Sequence, residues 1–175
     1  MSLIFVTGSP GAGKSSVCQE LKARGFQAYD TDEDQLAGWY DKRSGQPVSM
    51  PKREIWATST WRDQHHWHID RRKVEAIAAN SQVACTYICG SVANETEVWN
   101  LFSKVLYLLV DETTVQARLS SRTDNDFGKE AHELAAIIGW LRNAEADYRR
   151  FGAGIIDATR PLEQVVNDII SLSHG

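Results

Sequence analysis

The chain has little of several things that would assign it at once. Three of its 175 residues are cysteines, Cys18, Cys85 and Cys89, too few for a disulfide framework. The C-x-x-x-C spacing of the last two matches neither a thioredoxin-like redox pair nor half of a common zinc site. Reduced thiols in the core are the economical expectation. No apolar run approaches the roughly 20 residues of a membrane helix, and the first apolar stretch begins within three residues of Met1, which leaves no room for a signal peptide. A cytoplasmic protein with no membrane partner is therefore expected. Positive charge is also short: 19 Lys and Arg against 23 Asp and Glu give a net charge of −4. That balance argues against nucleic acid as a partner, although local arginines can still grip a small anion. Repeats and low-complexity segments are absent, and the length suits a single domain, residues 1 to 175, working as a monomer or dimer.

What is present begins with "VTGSPGAGKSSV", residues 6 to 17. Residues 3 to 7 are apolar or β-branched and predict a buried strand, while residues 15 to 24 have helical composition. The glycines between them let successive backbone N–H groups point inward, and the following helix adds the positive end of its dipole, so the turn predicts a concave anion site. The spacing Gly8-Ser9-Pro10-Gly11-Ala12-Gly13-Lys14-Ser15 is G-x-x-x-x-G-K-[ST], the P-loop or Walker A motif. Residues Gly8 through Ser15, together with Ser16, are expected to hold a nucleotide. In that motif the backbone cradles the α and β phosphates, Lys14 reaches the β and γ phosphates, and the Ser15 hydroxyl ligates Mg²⁺. ATP and Mg²⁺ are the cofactors this predicts.

Further strands are predicted at residues 26 to 29, 82 to 89, 105 to 110 and 153 to 156, with helices at about 94 to 102, 112 to 122, 130 to 150 and 161 to 172. This alternation predicts an α/β fold with a parallel sheet covered on both faces. Ligands of such sheets sit at the carboxyl ends of strands, which singles out residues 8 to 15, 30 to 34, 90 to 94 and 157 to 161. Residues 41 to 52 read as a loop and about 54 to 79 as a polar, aromatic-studded helical stretch.

A P-loop alone does not choose among kinases, GTPases and remodelling ATPases. No D-x-x-G switch and no N-K-x-D base-reading motif occurs in the sequence, which removes the GTPases. The segment "VLYLLVDE", residues 105 to 112, has the form of a Walker B strand of an AAA-type ATPase. Asp111 followed by Glu112, Thr113 and Thr114 also reads as a helix N-cap with its first turn, and the cap is the reading adopted.

The decisive second motif is "YDTDEDQ", residues 29 to 35, after the second predicted strand. With the P-loop, Asp30-Thr31-Asp32, Gly90 after the third strand, the R-L-x-x-R segment from Arg118 to Arg122 and "IDATRPLEQVVNDI" near the end, the chain resembles the shikimate kinase branch of the nucleoside monophosphate kinase-like small-molecule kinases. It departs from that pattern where shikimate kinases carry a glycine triplet, here Cys89-Gly90-Ser91-Val92, and it lacks the D-G-F-P-R motif of adenylate kinases.

The resemblance implies a three-layer P-loop fold with five parallel strands in the order 2-3-1-4-5, a substrate region at about 33 to 80, and a small lid at residues 123 to 129. It implies transfer of the γ-phosphoryl group of ATP to a small hydroxyl-bearing or phosphate-bearing acceptor. In the family pattern Asp30 holds Mg²⁺ through a water, and Asp32 takes the proton of the acceptor hydroxyl. Arg118 lies over the adenine, Arg122 reaches the transferring phosphates, and Arg142 is directed at substrate or phosphate. The turn holding Thr159, Arg160 and Pro161 cradles the base. On the acceptor side Trp39, Tyr40, Trp56, Trp61 and Trp67 offer aromatic walls suited to a ring-bearing molecule, Arg62 is the expected anion contact by position, and Gly90 borders the substrate. The cluster of His65, His66 and His68 reads as a solvated helix face rather than a metal site. A nucleoside or nucleotide kinase, an AAA-type ATPase and a nucleotide-binding module without turnover remain as alternatives.

Overall fold

Strand β1 (Ser2–Gly8) sorts its side chains into two apolar layers. Leu3 and Phe5 belong to one buried cluster and Ile4 and Val6 to the other, as the two-residue period of a strand buried on both faces requires. The computed structural model describes residues 2–56, 58–81, 83–123 and 127–174. After β1 come α1 (Lys14–Ala23) and β2 (Gln27–Asp30), and the chain then leaves the main sheet. It returns through α4 (Arg71–Asn80) after the excursion described below, then β6 (Cys85–Cys89), α5 (Glu95–Val98) and a 3₁₀ turn (Trp99–Leu101). Strand β7 (Lys104–Leu109), α6 (Glu112–Ser121), α7 (Ala131–Arg150), β8 (Gly154–Asp157) and α8 (Leu162–His174) complete it.

The five main strands are parallel and ordered β2-β6-β1-β7-β8. These are the five expected strands in the expected order 2-3-1-4-5. Helix α1 buries Val17, Cys18 and Leu21 and α8 buries Val165, Val166 and Ile169 against one face, while Val74, Val98 and Phe102 cover the other. The three cysteines are free and buried. No helix among the described residues is long and apolar enough to cross a membrane.

The excursion corrects the helical reading of residues 33 to 80. It holds β3 (Ala37–Asp41), β4 (Pro47–Val48), α2 (Arg53–Trp56), α3 (Ser59–Gln64) and β5 (His65–Ile69), and its strands form an antiparallel sheet ordered β4-β3-β5. The loop expected at 41 to 52 contains β4, and β5 interrupts the helix expected from 54 to 79. In β5, His65, Trp67 and Ile69 pair with Asp41, Trp39 and Ala37 on one face, while His66 and His68 lie opposite Tyr40 and Gly38 on the other. Ring stacking supports that second face, with centroids 3.8 Å apart for His66 and His68 and 5.5 Å for Tyr40 and His68. The histidines therefore share a strand face, not a helix face. Alternation over five residues is a weak local signal, and the partner that makes it a strand lies far back along the chain.

Candidate functional site

The loop after β1 is shaped for an anion. Gly13 has φ +97°, a left-handed conformation that an L side chain resists. Helix α1 starts immediately after it with no side-chain cap and no acidic residue in its first turn, so its free N–H groups and positive dipole end are not neutralised. The Ser9 hydroxyl is buried without a hydrogen-bond partner among the described residues, an orphaned donor that a phosphate oxygen would satisfy. Ser15 and Ser16 are exposed in the first turn.

Lys14 Nζ donates to Gly8 O at 2.8 Å and Ser9 O at 2.9 Å. Burial lowers its pKa to about 8, against the fields of Asp32, Glu95 and Asp30, which raise it, while Arg122 lowers it further. Four charged groups from three segments thus meet around one lysine. Sequence reasoning named three of them.

Asp30 is buried, and its Oδ1 accepts from the backbone N–H of Asp32 at 2.9 Å and Glu33 at 3.3 Å. This closes a tight turn at the end of β2 and leaves Asp32 exposed beside the P-loop. Asp32 Oδ1 accepts from Thr31 Oγ1 at 2.9 Å. Gly90 belongs to this turn by packing: a Cβ there would lie 2.0 Å from Thr31 Oγ1 and 2.2 Å from Thr31 Cγ2. The structure therefore gives Gly90 a supporting place behind Thr31. Gly90→Ala is expected to lower stability by about 1–3 kcal/mol, a fall in Tm of roughly 2–12 °C. Thermal unfolding of the variant checks this, and an unchanged Tm would show that the turn has room to spare.

Arg118 and Arg122 lie on or at the end of α6. Arg118 donates to Gly11 O at 3.4 Å, Ala12 O at 3.2 Å and Ala158 O at 2.8 Å, tying the P-loop to the turn after β8. In that turn Asp157 Oδ1 accepts from the Thr159 N–H and hydroxyl at 3.0 and 2.6 Å. Pro161 follows, and Arg160 donates to Asp157 O at 3.2 Å and pairs with Asp168 on α8. Arg122 donates to Phe127 O at 2.9 Å.

Two arginines depart from their expected places. Arg62 pairs with Glu133, whose side chain is 1% exposed, and lies over the Phe127 ring at 5.0 Å. Burial pushes the Glu133 carboxyl up, but the Gly128 N–H at 2.8 Å and Arg62 outweigh it and hold it below the usual carboxylate range. Arg62 thus joins the acceptor side to the far end of the expected lid. Arg142 is exposed on α7 and makes no hydrogen bond or ion pair among the described residues, because the inward face of that helix runs through Leu134, Ile137, Leu141 and Ala144. Residues 124 to 126 of the expected lid and the side chain of Trp56 lie outside the described residues.

Glu95 is the residue that sequence reasoning missed. It accepts from Thr7 Oγ1 at 2.7 Å and Tyr148 Oη at 2.6 Å. Burial raises its pKa, against Tyr148, Thr7, the Val92 N–H and Lys14, which pull it down. The available signal was its place five residues after Gly90, at the carboxyl end of β6, where an acidic side chain on a ligand-binding edge merits weight.

No group of three or more His, Cys, Asp or Glu that could hold a metal ion occurs among the described residues. Mg²⁺ with a nucleotide needs only one or two protein groups, since phosphate oxygens and water complete its shell. Ser15 and Asp30 fit that modest demand.

The family profile described as an AAA domain matches residues 4–147. Shikimate kinase 2 of Salmonella typhimurium is 27% identical over 180 residues, covering 98% of this chain and 91% of that protein. Among solved structures, shikimate kinase from Acinetobacter baumannii in complex with shikimate superposes with a TM-score of 0.62 at 16% identity, covering 98% of this chain and 92% of the other. Deoxyadenosine kinase from M. mycoides with bound dATP gives 0.61 at 13% identity, with both chains fully covered. At such identities these two likenesses concern the fold, which is the P-loop kinase fold.

Proposed function

The chain belongs to the AAA domain family of P-loop proteins, and from that premise we propose that it is an ATP-dependent phosphotransferase acting on a small molecule. It would move the γ-phosphoryl group of Mg·ATP to a hydroxyl-bearing or phosphate-bearing acceptor. The observation that carries this reading is the convergence of Asp30, Asp32 and Arg122 on Lys14. When bound, Mg·ATP supplies the transferable group and a divalent charge. The residues fit it: an uncapped helix start, an orphaned Ser9 hydroxyl, and a lysine already held by two backbone carbonyls.

Each of the chain's own groups then has one task. Lys14 and Arg122 balance the charge of phosphate oxygens. Asp30 shapes the turn and faces the metal's water shell, and Asp32 accepts the proton of the acceptor hydroxyl. Arg118 and the turn at 157 to 161 border the base. The similarity to Shikimate kinase 2 supports a small-molecule acceptor.

The alternative AAA-type ATPase would hydrolyse ATP without an acceptor, and its signature would be the Asp111-Glu112 pair. Asp111 Oδ1 accepts from Thr114 N at 2.6 Å, the bond of a helix N-cap. Both carboxylates are exposed, and the charge that touches Asp111 besides Arg118 is Asp157, not Lys14. Glu112→Gln is accordingly expected to change turnover less than about tenfold, whereas loss of a catalytic base costs about 10² to 10⁴. A collapse of turnover with nucleotide binding intact would favour the ATPase.

The direct test follows ADP release from Mg·ATP with a panel of sugars, polyol acids, nucleosides, nucleotides and aminoglycosides, and then phosphorus NMR of the product. Release that depends on one acceptor class and a new phosphate ester are expected. Equal release with and without every acceptor would overturn the proposal.

A further inference from the structure

Asp32 Oδ1 is held from two directions. Thr31 Oγ1 donates to it at 2.9 Å, and the Trp67 indole Nε1–H at 3.1 Å. Among the described residues Oδ2 makes no hydrogen bond, so two donors fix the carboxylate plane and leave one oxygen available. Trp67 is itself well anchored. Its ring packs against the cluster of Leu36, Ile69 and Val92, and its carbonyl accepts from Ala93 N at 2.7 Å.

From Trp67 an aromatic corner extends along the acceptor-side sheet. Trp39 stands opposite it in the β3–β5 ladder with ring centroids 5.4 Å apart at 66°, and Trp61 meets Trp39 at 4.8 Å and 75°. All three indoles are only half-buried. Charge on this side disfavours an anionic acceptor: Asp32 and Glu33 are exposed, Asp34 is already paired with Lys22 at 3.0 Å, and the arginine expected to meet an anion, Arg62, is neutralised by Glu133. Flat apolar faces beside a hydroxyl-seeking carboxylate suit a molecule with a planar ring at one end and an uncharged alcohol at the other.

We propose that the acceptor is an uncharged nucleoside, its base stacked in the corner of Trp39, Trp61 and Trp67 and a sugar hydroxyl at Asp32, with Trp67 as the positioning residue that aims Asp32 Oδ2 at that hydroxyl. This rests on the phosphotransferase reading above. The hydroxyl proton passes to Oδ2 while the acceptor oxygen bonds to the γ phosphorus. The bond from that phosphorus to the β,γ-bridging oxygen breaks, and ADP leaves with its electron pair.

The test measures ADP release by the full chain with Mg·ATP and adenosine, thymidine, ribose or shikimate. A nucleoside is expected to exceed ribose and shikimate by about tenfold or more in kcat/KM, the loss of one stacked base. Faster release with ribose or shikimate would overturn the nucleoside assignment and leave phosphoryl transfer standing. Release indifferent to all four would overturn the nucleoside assignment, and equal release across the wider acceptor panel above would overturn phosphoryl transfer as well. Trp39→Leu is expected to raise the nucleoside KM about tenfold, and an unchanged KM would remove the stacking corner. Trp67→Phe keeps a ring and loses the donor, so kcat is expected to fall about tenfold with KM within about twofold; an unchanged kcat would end the positioning role. A readout without turnover accompanies it. The indole N–H proton resonance that is missing from Trp67→Phe is expected to move in Asp32→Ala, and its failure to move would show that the bond to Asp32 does not form.

Discussion

Lys14→Ala is expected to lower acceptor-dependent ADP formation by about 10² or more, since it removes a preorganised charge from the place where phosphoryl charge moves. The lysine is positioned before any ligand arrives, because Gly8 O and Ser9 O accept from it at 2.8 and 2.9 Å. That position has a thermodynamic consequence of its own. Burial lowers the Lys14 pKa from the model-compound 10.5 to about 8, so between those values the folded state binds fewer protons than the unfolded one. Stability contributed at this site therefore rises with pH across that window. Below pH 8 both states are protonated and the folded protein carries the full cost of enclosing the charge. The Tm of the wild type relative to Lys14→Ala is thus expected to rise as pH goes from about 8 towards 10. Steady-state ADP assays and thermal unfolding at several pH values check the two halves separately. An active Lys14→Ala protein would remove the P-loop from the mechanism, and a pH-independent gap would mean that Lys14 is better solvated than its surroundings indicate.

Asp32→Asn is expected to retain Mg·ATP binding while acceptor phosphorylation falls by about 10² to 10⁴, the range for loss of a general base. The amide keeps the shape and can still accept from Thr31 and Trp67, but it cannot take up the hydroxyl proton. Asp30→Asn acts differently. Asp30 Oδ1 closes the turn through the N–H groups of Asp32 and Glu33, and its proposed partner is the metal's water shell, so that variant is expected to need more Mg²⁺ for half-maximal rate. Titrating Mg²⁺ against both variants separates the roles. Wild-type phosphorylation by Asp32→Asn would leave the Asp-Thr-Asp motif a structural turn and move attention to Glu95, the other carboxylate in the field of Lys14.

Three of the expectations drawn from local pattern held for local reasons. The P-loop was legible because its glycines, lysine and serine are consecutive and its chemistry is largely backbone chemistry. Asp111 was legible as a cap because an N-cap bonds within its own first turn. The parallel strands were legible as apolar runs punctuated by helices, since strands buried on both faces need little beyond apolar, β-branched composition.

What the sequence by itself determined, then, is a P-loop α/β chain with a glycine-rich, anion-shaped turn after its first strand and an acidic turn after its second. Tertiary structure decided the rest. It turned a presumed helix into β5, because pairing with β3 gives His65, Trp67 and Ile69 one face and His66 and His68 the other. It took Arg62 to Glu133, turned Arg142 outward, placed Gly90 behind Thr31, and brought Glu95 to Lys14. The physical reason is common to all of these. Strand pairing, burial of a charge and close packing depend on partners tens of residues away, and a one-dimensional pattern records each partner's chemistry without recording which of them meet.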